Sequence, residues 1–376
     1  MYFDWKTYHA VFRRALREPS NRRRRRLVWT LAIMAPLVAA FDTLFFALDH
    51  VFYPGFRKVE IRSPIFIVGH ARSGTTKIHR LLSGDPRFAY FRTWEILLPS
   101  ILQKKIVRGI AILDARLLGG RIASRLEARQ DAALGKARRM HDWRLDGAEE
   151  DGFLGLHAFS SGTLSVIFPY NAMLEYLSDL DRKADAPGRR RALRFYAGCV
   201  KRQIYFEGGE KILLSKNPAF TTRMRSLLEV FPDLRFVCTV RHPYETIPSL
   251  INLLQKGWQA LGADPRDIEE AAAWMGESSL HSYRYAFEVI DGLPADRSFV
   301  ASFEELVSRP KATIERLYAH FGWEITPGYA AFLEAEQGRA KDYVSAHRYE
   351  AGLGPSRERI QEELAPLFER FGWSRD

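Results

Sequence analysis

Apolar residues in this chain fall into short runs that alternate with longer stretches of helical spacing. Ile65–Val68, Phe88–Phe91, Lys211–Leu214, Arg235–Val240 and Ser298–Phe303 have strand length and composition. Between them, Thr75–Ser83 places Ile78, Leu81 and Leu82 on one helical face before Gly84-Asp85-Pro86 stops the helix, and 96–112 and 190–206 are amphipathic. Buried strands that each lead into a helix predict a three-layer α/β/α domain with a central parallel sheet and its ligand at the carboxyl ends of the strands. The long helical stretch at about 96–210 reads as an insertion, a lid or an acceptor pocket, within a catalytic domain spanning 61–376.

The first 60 residues differ in kind. Arg22–Arg26 precede an apolar run from Leu27 to Leu48 that Pro36 and Asp42 interrupt. The run just reaches the roughly 20 residues that a bilayer crossing needs, and only if hydrocarbon accommodates the proline and the aspartate. A helix in the membrane interface fits better, with Trp29, Leu31, Phe41, Phe45 and Phe46 among the acyl chains and the arginines on anionic headgroups. Attachment to the cytoplasmic face is the expectation, a single-pass membrane protein the alternative, and packing on the domain or across a homodimer seam the third reading. On the first, removing residues 1–53 leaves ligand binding intact.

Composition narrows the chemistry. With 376 residues, 47% of them hydrophobic, the chain can bury a large core. A net charge of +11, with Arg well in excess of Lys, suits phosphate oxygens. No nucleic-acid-binding motif organises those charges, so nucleic acid is not the expected partner. Cys199 and Cys238 are the only cysteines, which excludes a disulfide framework, and no Cys/His spacing suggests a metal site.

The chemistry concentrates after the first strand. Ile65-Phe-Ile-Val-Gly69-His-Ala-Arg72-Ser73-Gly74-Thr75-Thr76 is a strand entering a glycine-bracketed loop that opens a helix, the arrangement that wraps backbone N–H groups around phosphate. The spacing of Gly69 and Gly74 matches the start of G-x-x-x-x-G-K-[ST], yet Thr75 stands where the lysine belongs. An ordinary ATPase or GTPase is therefore disfavoured, while Arg72 still suits a phosphate or phosphosulfate. A second segment, Arg241-His-Pro-Tyr-Glu-Thr-Ile-Pro-Ser249, leaves the fourth strand at the same sheet edge, and Leu213-Leu214-Ser215-Lys216-Asn217-Pro218 lies between the two.

In these three segments, and from about Pro64 to Gly322, the chain resembles the sulfotransferases, most of all the bacterial-type and tyrosylprotein-like groups. The resemblance implies a P-loop-type fold and the donor 3′-phosphoadenosine-5′-phosphosulfate (PAPS), without a metal. It assigns the 5′-phosphosulfate to Gly69, Arg72, Ser73, Gly74, Thr75 and Thr76, the 3′-phosphate to Arg241 and Ser249, and charge neutralisation at the breaking bond to Lys216. Candidate bases are Glu95, His70, His79, His141 and Glu149-Glu150-Asp151; Glu95, just beyond the second strand, resembles the family's catalytic glutamate and is the preferred one. Pro218 stands where phenol and steroid sulfotransferases carry a histidine base. Lys77 and Ala71 depart from the usual loop, and Ala346-His347-Arg348-Tyr349 resembles a basic tail segment near the donor.

The resemblance thus implies sulfuryl transfer to a hydroxyl. The apolar tail and the aromatic residues Trp94, Trp143, Phe153, Phe159 and Phe168 favour a small-molecule or lipid-like alcohol. The competing readings are a P-loop nucleotide kinase, which the missing lysine counts against, and a non-catalytic nucleotide-binding protein at an anionic membrane surface.

Overall fold

The computed structural model describes residues 2–134, 144–340 and 354–374, so His141, Trp143 and Ala346–Tyr349 lie outside the described residues. Five strands, β1 (Ile65–Val68), β2 (Phe88–Ala89), β3 (Ile212–Lys216), β4 (Arg235–Val240) and β5 (Ser298–Ser302), form one sheet in the order β2-β3-β1-β4-β5. All neighbours are parallel. β1 is buried at every position because helices cover both faces. Its side chains alternate between two cores: Phe66 and Val68 pack with Phe236, Leu213 and Val200, whereas Ile65 and Ile67 pack with Ile78, Leu81 and Val237.

The chain leaves β1 for the edge strand β2, returns through β3 and then crosses to β4 on the other side of β1. That reversal opens a crevice at the carboxyl end of β1, where α/β sheets bind ligands. β3 runs two residues beyond its expected end, so Lys216 is its last residue, in register with Ile67. β2 is shorter than expected: it stops at Ala89, and the chain turns into helix near Arg92.

The amino-terminal residues are part of this domain. α1 (Trp5–Ala15) is followed by α2 (Arg22–Phe52), one continuous helix despite Pro36. The residues that seemed least welcome in hydrocarbon tie α2 to the rest of the chain. Asp42 accepts from Gln103 Nε2 at 3.1 Å and lies 2.6 Å from His157 Nδ1. Asp49, fully buried, accepts from Ser100 Oγ (2.8 Å), the Ile101 and Leu102 amides (3.1 and 2.9 Å) and Arg202 Nε (2.8 Å). Its carboxylate therefore caps the helix α5 (Ile101–Leu117), where the helix dipole favours negative charge. Arg24, also buried, bonds Glu18 and the Ile167 carbonyl.

Through these contacts the amino-terminal segment packs on the rest of the chain. A bilayer crossing would strip both aspartates of their partners, and removing residues 1–53 would take Asp49 from Arg202 and from the start of α5 and expose the surface that α2 covers. Ligand binding is therefore not expected to survive that deletion.

Candidate active site

The loop after β1 has a shape that its sequence makes nearly obligatory. Gly69 sits at φ 119°, where an added Cβ would lie 2.3 Å from the Thr239 carbonyl oxygen of β4. Gly74 caps the helix α3 (Thr75–Leu82) at φ 98°, and Arg72 between them is left-handed at φ 73°, a conformation that costs a non-glycine residue free energy. Tertiary hydrogen bonds hold it. Ser73 Oγ donates to the His70 carbonyl at 2.6 Å and lies 2.7 Å from Thr239 Oγ1, and the Gly69 amide donates to Thr221 Oγ1 at 2.9 Å. Ser73, buried, thus spends its hydroxyl inside the loop.

His70 stacks on Tyr283, with ring centroids 5.0 Å apart, and its Nδ1 lies 2.6 Å from the Ala71 carbonyl. Burial pushes its pKa down to about 4, so the ring is neutral and serves the loop's packing. The amide groups of the first turn of α3, beginning at Thr75 and Thr76, face the problem of every helix start: too few carbonyls precede them. Unpaired amides of this kind suit an anion.

The two motifs read from the sequence meet here. Arg72 Nε donates to Ser249 Oγ at 3.0 Å, and Arg241 Nη1 reaches the Arg72 carbonyl at 3.4 Å. The Arg241 guanidinium lies over the Phe303 ring, 4.0 Å from its centroid, and pairs with Glu245 one helical turn on. Ser249 is placed by the helix Pro243–Ala260, which starts directly after β4 because His242 caps it and Pro243 occupies its first turn. Arg72, Arg241 and Ser249, far apart in sequence, thereby form one basic cluster at the mouth of the loop.

Lys216, at the end of β3, is 1% exposed, and its Nζ donates to Glu150 Oε1 at 2.8 Å, with Glu149 Oε1 at 3.9 Å. The Glu149–Asp151 segment is drawn in by a hydrogen bond from the Glu149 amide to the Phe91 carbonyl and by a bridge between Arg92 and Ala148. Asp151 is buried and accepts from Tyr196 at 2.6 Å, and that tyrosine oxygen lies 3.0 Å from Ser215 Oγ. Burial raises the Asp151 carboxyl to about 7. His79 of α3 is buried beside Lys216; burial first, then the charges of Lys216 and Arg80, hold it well below the usual imidazole range.

The raised Asp151 pKa has a measurable consequence. The folded protein binds this proton more tightly than the unfolded chain, so the associated stability is present below about pH 4 and is lost as pH rises through about 7. Asp151→Asn should flatten that part of the stability profile, read as the difference between variant and wild type in urea unfolding across this range.

Glu95 is placed differently from its expected role. It is fully buried, one Oε accepting from the Arg92 amide (2.8 Å) and Gln203 Nε2 (3.0 Å), the other from Arg92 Nη1 (2.9 Å). This is the glutamate half of a capping box on the short helix α4 (Thr93–Leu97), combined with an ion pair. Its bonds run to Arg92 and Gln203, not to the loop or to Lys216. The aromatic residues expected to favour an apolar acceptor are largely packed: Phe159 and Phe168 are buried with Phe12 of α1, and Trp94 lies against Phe206.

A concavity of about 900 Å³ lies between Gly55–Arg62 and Tyr205–Ile212, at the amino ends of β1 and β3 and away from this cluster. Among the described residues, no group of three or more His, Cys, Asp or Glu could hold a metal ion.

Comparison with known proteins agrees with this architecture. The sulfotransferase family model matches residues 64–327. The omega-hydroxy-beta-dihydromenaquinone-9 sulfotransferases Stf3 of Mycobacterium bovis and Mycobacterium tuberculosis are each 28% identical to the chain over 318 residues, covering 83% of it and 76% of the relative. Among solved structures, sulfotransferase STF1 of M. tuberculosis H37Rv superposes with a TM-score of 0.69 at 17% identity over 96% of this chain and 92% of that one. STF9 of Mycobacterium avium gives 0.68 at 17% identity over 100% and 98%. These two likenesses establish the fold.

Proposed function

The chain belongs to the sulfotransferase family, and from that premise we propose that it transfers the sulfuryl group of PAPS to the hydroxyl of a hydrophobic, lipid-like alcohol at an anionic membrane surface. The observation that carries the donor assignment is the junction of Arg72, Arg241 and Ser249 at the end of β1 and β4, two anion-binding motifs joined into one site. A donor with phosphate at both ends of its ribose uses both; a simple nucleotide uses one. The lipid-like acceptor is supported by the name of the mycobacterial relatives, which specifies a hydroxylated menaquinone derivative, and by the apolar surface of α2.

In this proposal, the Gly69–Gly74 loop and the amides and hydroxyls of Thr75 and Thr76 hold the 5′-phosphosulfate, Arg72 adds fixed charge, and Arg241 and Ser249 hold the 3′-phosphate. Ser73 keeps the loop in shape. The acceptor oxygen attacks sulfur in line, the bond from sulfur to the bridging oxygen breaks, and the bisphosphate leaves with the electron pair. Such a transfer depends on positioning and charge stabilisation more than on covalent participation of the protein. Lys216 neutralises the bridging oxygen. Glu150, released from Lys216 as that lysine turns to the leaving group, accepts the acceptor's proton, while Glu95 positions the turn after β2.

The direct test is transfer of labelled sulfate from PAPS into a lipid extract, with the product identified by mass. A binding test separates the donor assignment from the chemistry. Adenosine 3′,5′-bisphosphate should raise the thermal midpoint, with about 2.7 kcal/mol of stabilisation at a hundred times its Kd. AMP, and ATP with magnesium, should shift it far less. Equal shifts for AMP and the bisphosphate would remove Arg241 and Ser249 from the 3′-phosphate.

A further inference from the structure

Exposed apolar residues are concentrated on this molecule, not scattered. Of the 23 large hydrophobic residues exposed among the described residues, nine lie on α2 and eight between Ile106 and Leu126, on α5, the following helix α6 (Arg121–Leu134) and the turn that joins them. Single exposed hydrophobics need no explanation, but a concentration of this kind marks a surface that meets something apolar. On α2, Trp29, Ile33, Leu37 and Phe41 recur every four residues and so share one face. On α5, Ile106, Ile110, Leu113 and Leu117 recur at spacings of four, three and four and likewise share one face. The two helices are neighbours because Asp49 of α2 caps the start of α5 and Asp42 holds Gln103.

The charges beside these stripes are of one sign. Arg22, Arg25 and Arg26 form with Trp29 a concavity of about 480 Å³ at the head of α2. On α6, Arg121, Arg125 and Arg129 recur every four residues next to Ile122 and Leu126, all of them exposed. The one exposed acid among 105–130 is Glu127, since Asp114 is buried, capping α6 through the Ile122 and Ala123 amides. Apolar residues bordered by a row of arginines make a helix that lies in a membrane interface.

We infer that α2 and the α5–α6 hairpin form a single docking face that seats the catalytic domain in one leaflet of an anionic bilayer. The apolar stripes enter the acyl boundary, and the arginines of α2 and α6 meet lipid phosphates. The inference deepens the membrane reading above: the contact is made by the catalytic domain as well as by α2, and α2 lies along the membrane. A second copy of the chain suits this face poorly, because a two-fold interface would set these arginines against each other with little acid to answer them.

The test uses full-length protein and co-sedimentation with vesicles of phosphatidylcholine alone and of phosphatidylcholine mixed equally with phosphatidylglycerol. Wild type should partition onto the mixed vesicles and be weakened by salt. The triple variant Ile110→Gln/Leu113→Gln/Leu117→Gln should lose at least about tenfold in partitioning, since each buried aliphatic side chain contributes more than a factor of ten. Arg121→Gln/Arg125→Gln/Arg129→Gln, which leaves the apolar stripe intact and so guards against misfolding of the first variant, should lose the preference for anionic vesicles by about tenfold or more.

Both triple variants partitioning like wild type would confine the contact to α2 and overturn the inference while sparing membrane attachment. Failure of wild type to bind either vesicle would overturn both, and a wild-type dimer that the apolar variant renders monomeric would assign the face to a second copy. None of these readouts involves sulfuryl transfer, so the catalytic reading stands or falls separately.

Discussion

Glu150→Gln is expected to lower kcat by about 10²–10⁴-fold while leaving bisphosphate binding intact, because the substitution keeps the side chain's size but removes the proton acceptor. The expectation rests on the 2.8 Å pair between Glu150 and Lys216. A carboxylate held by the residue proposed to neutralise the leaving group is both close to the reacting atoms and unable to act until that lysine moves. Glu150 is 26% exposed on its side chain, whereas Glu95 is completely buried, so only Glu150 retains an open approach for an acceptor.

Glu95→Gln provides the contrast. It weakens the ion pair with Arg92 and the cap on α4, so its cost should appear in urea unfolding, with kcat per folded molecule little changed. Full turnover in the Glu150 variant together with a collapse of kcat in a stably folded Glu95 variant would return the base to Glu95.

The difference between these two glutamates shows what local sequence can carry. The meeting of the Gly69–Thr76 loop, Arg241 and Lys216 at one sheet edge was legible because each stands at or just beyond the end of an apolar strand, and parallel topology sends strand ends to one edge; the roles given to them there belong to the proposal. Glu150 sits in a segment without periodicity, and its partner lies 66 residues away in sequence. The sequence places Glu150 and Asp151 together among the candidate bases without separating them, since the burial of Asp151 depends on Tyr196 of a different helix. The alternative role of Glu95 did leave a trace: it stands three residues after Arg92, the spacing of a capping box, but an arginine in place of Ser or Thr at the first position obscures the pattern.

The helix α2 presents the same difficulty from the opposite side. Its hydropathy suits a membrane, yet Asp42, which interrupts the apolar run, and Asp49 stand seven residues apart and therefore on one face. Two carboxylates on one face of an apolar helix signal a polar partner along its length, here Gln103, His157 and Arg202. Which residues supply those partners is a matter of tertiary structure, and nothing near α2 in the sequence names them.

Lys216→Met should cost about 100-fold or more in kcat with little effect on bisphosphate affinity, whereas Arg241→Ala should do the reverse. Lys216 is buried and paired with Glu150, so its proposed contribution grows only as the bridging oxygen becomes negative; an interaction made in the transition state and not in the ground state appears in kcat. Methionine keeps the buried stem, which separates loss of charge from loss of core. In the proposal Arg241 holds a phosphate remote from the breaking bond and acts on bound donor before and during reaction alike, so its loss is expected in affinity. A charge-assisted hydrogen bond contributes about 1.5–3 kcal/mol, which corresponds to a Kd for the bisphosphate raised by about 10- to 150-fold. Arg241 also anchors the loop through the Arg72 carbonyl and balances Glu245, so part of its loss would come from a looser cradle. Titration calorimetry with the bisphosphate and single-turnover sulfate transfer, run on both variants, read the two quantities independently. An unchanged turnover for Lys216→Met would exclude the lysine from the transition state, and an unchanged Kd for Arg241→Ala would exclude the arginine from the 3′-phosphate.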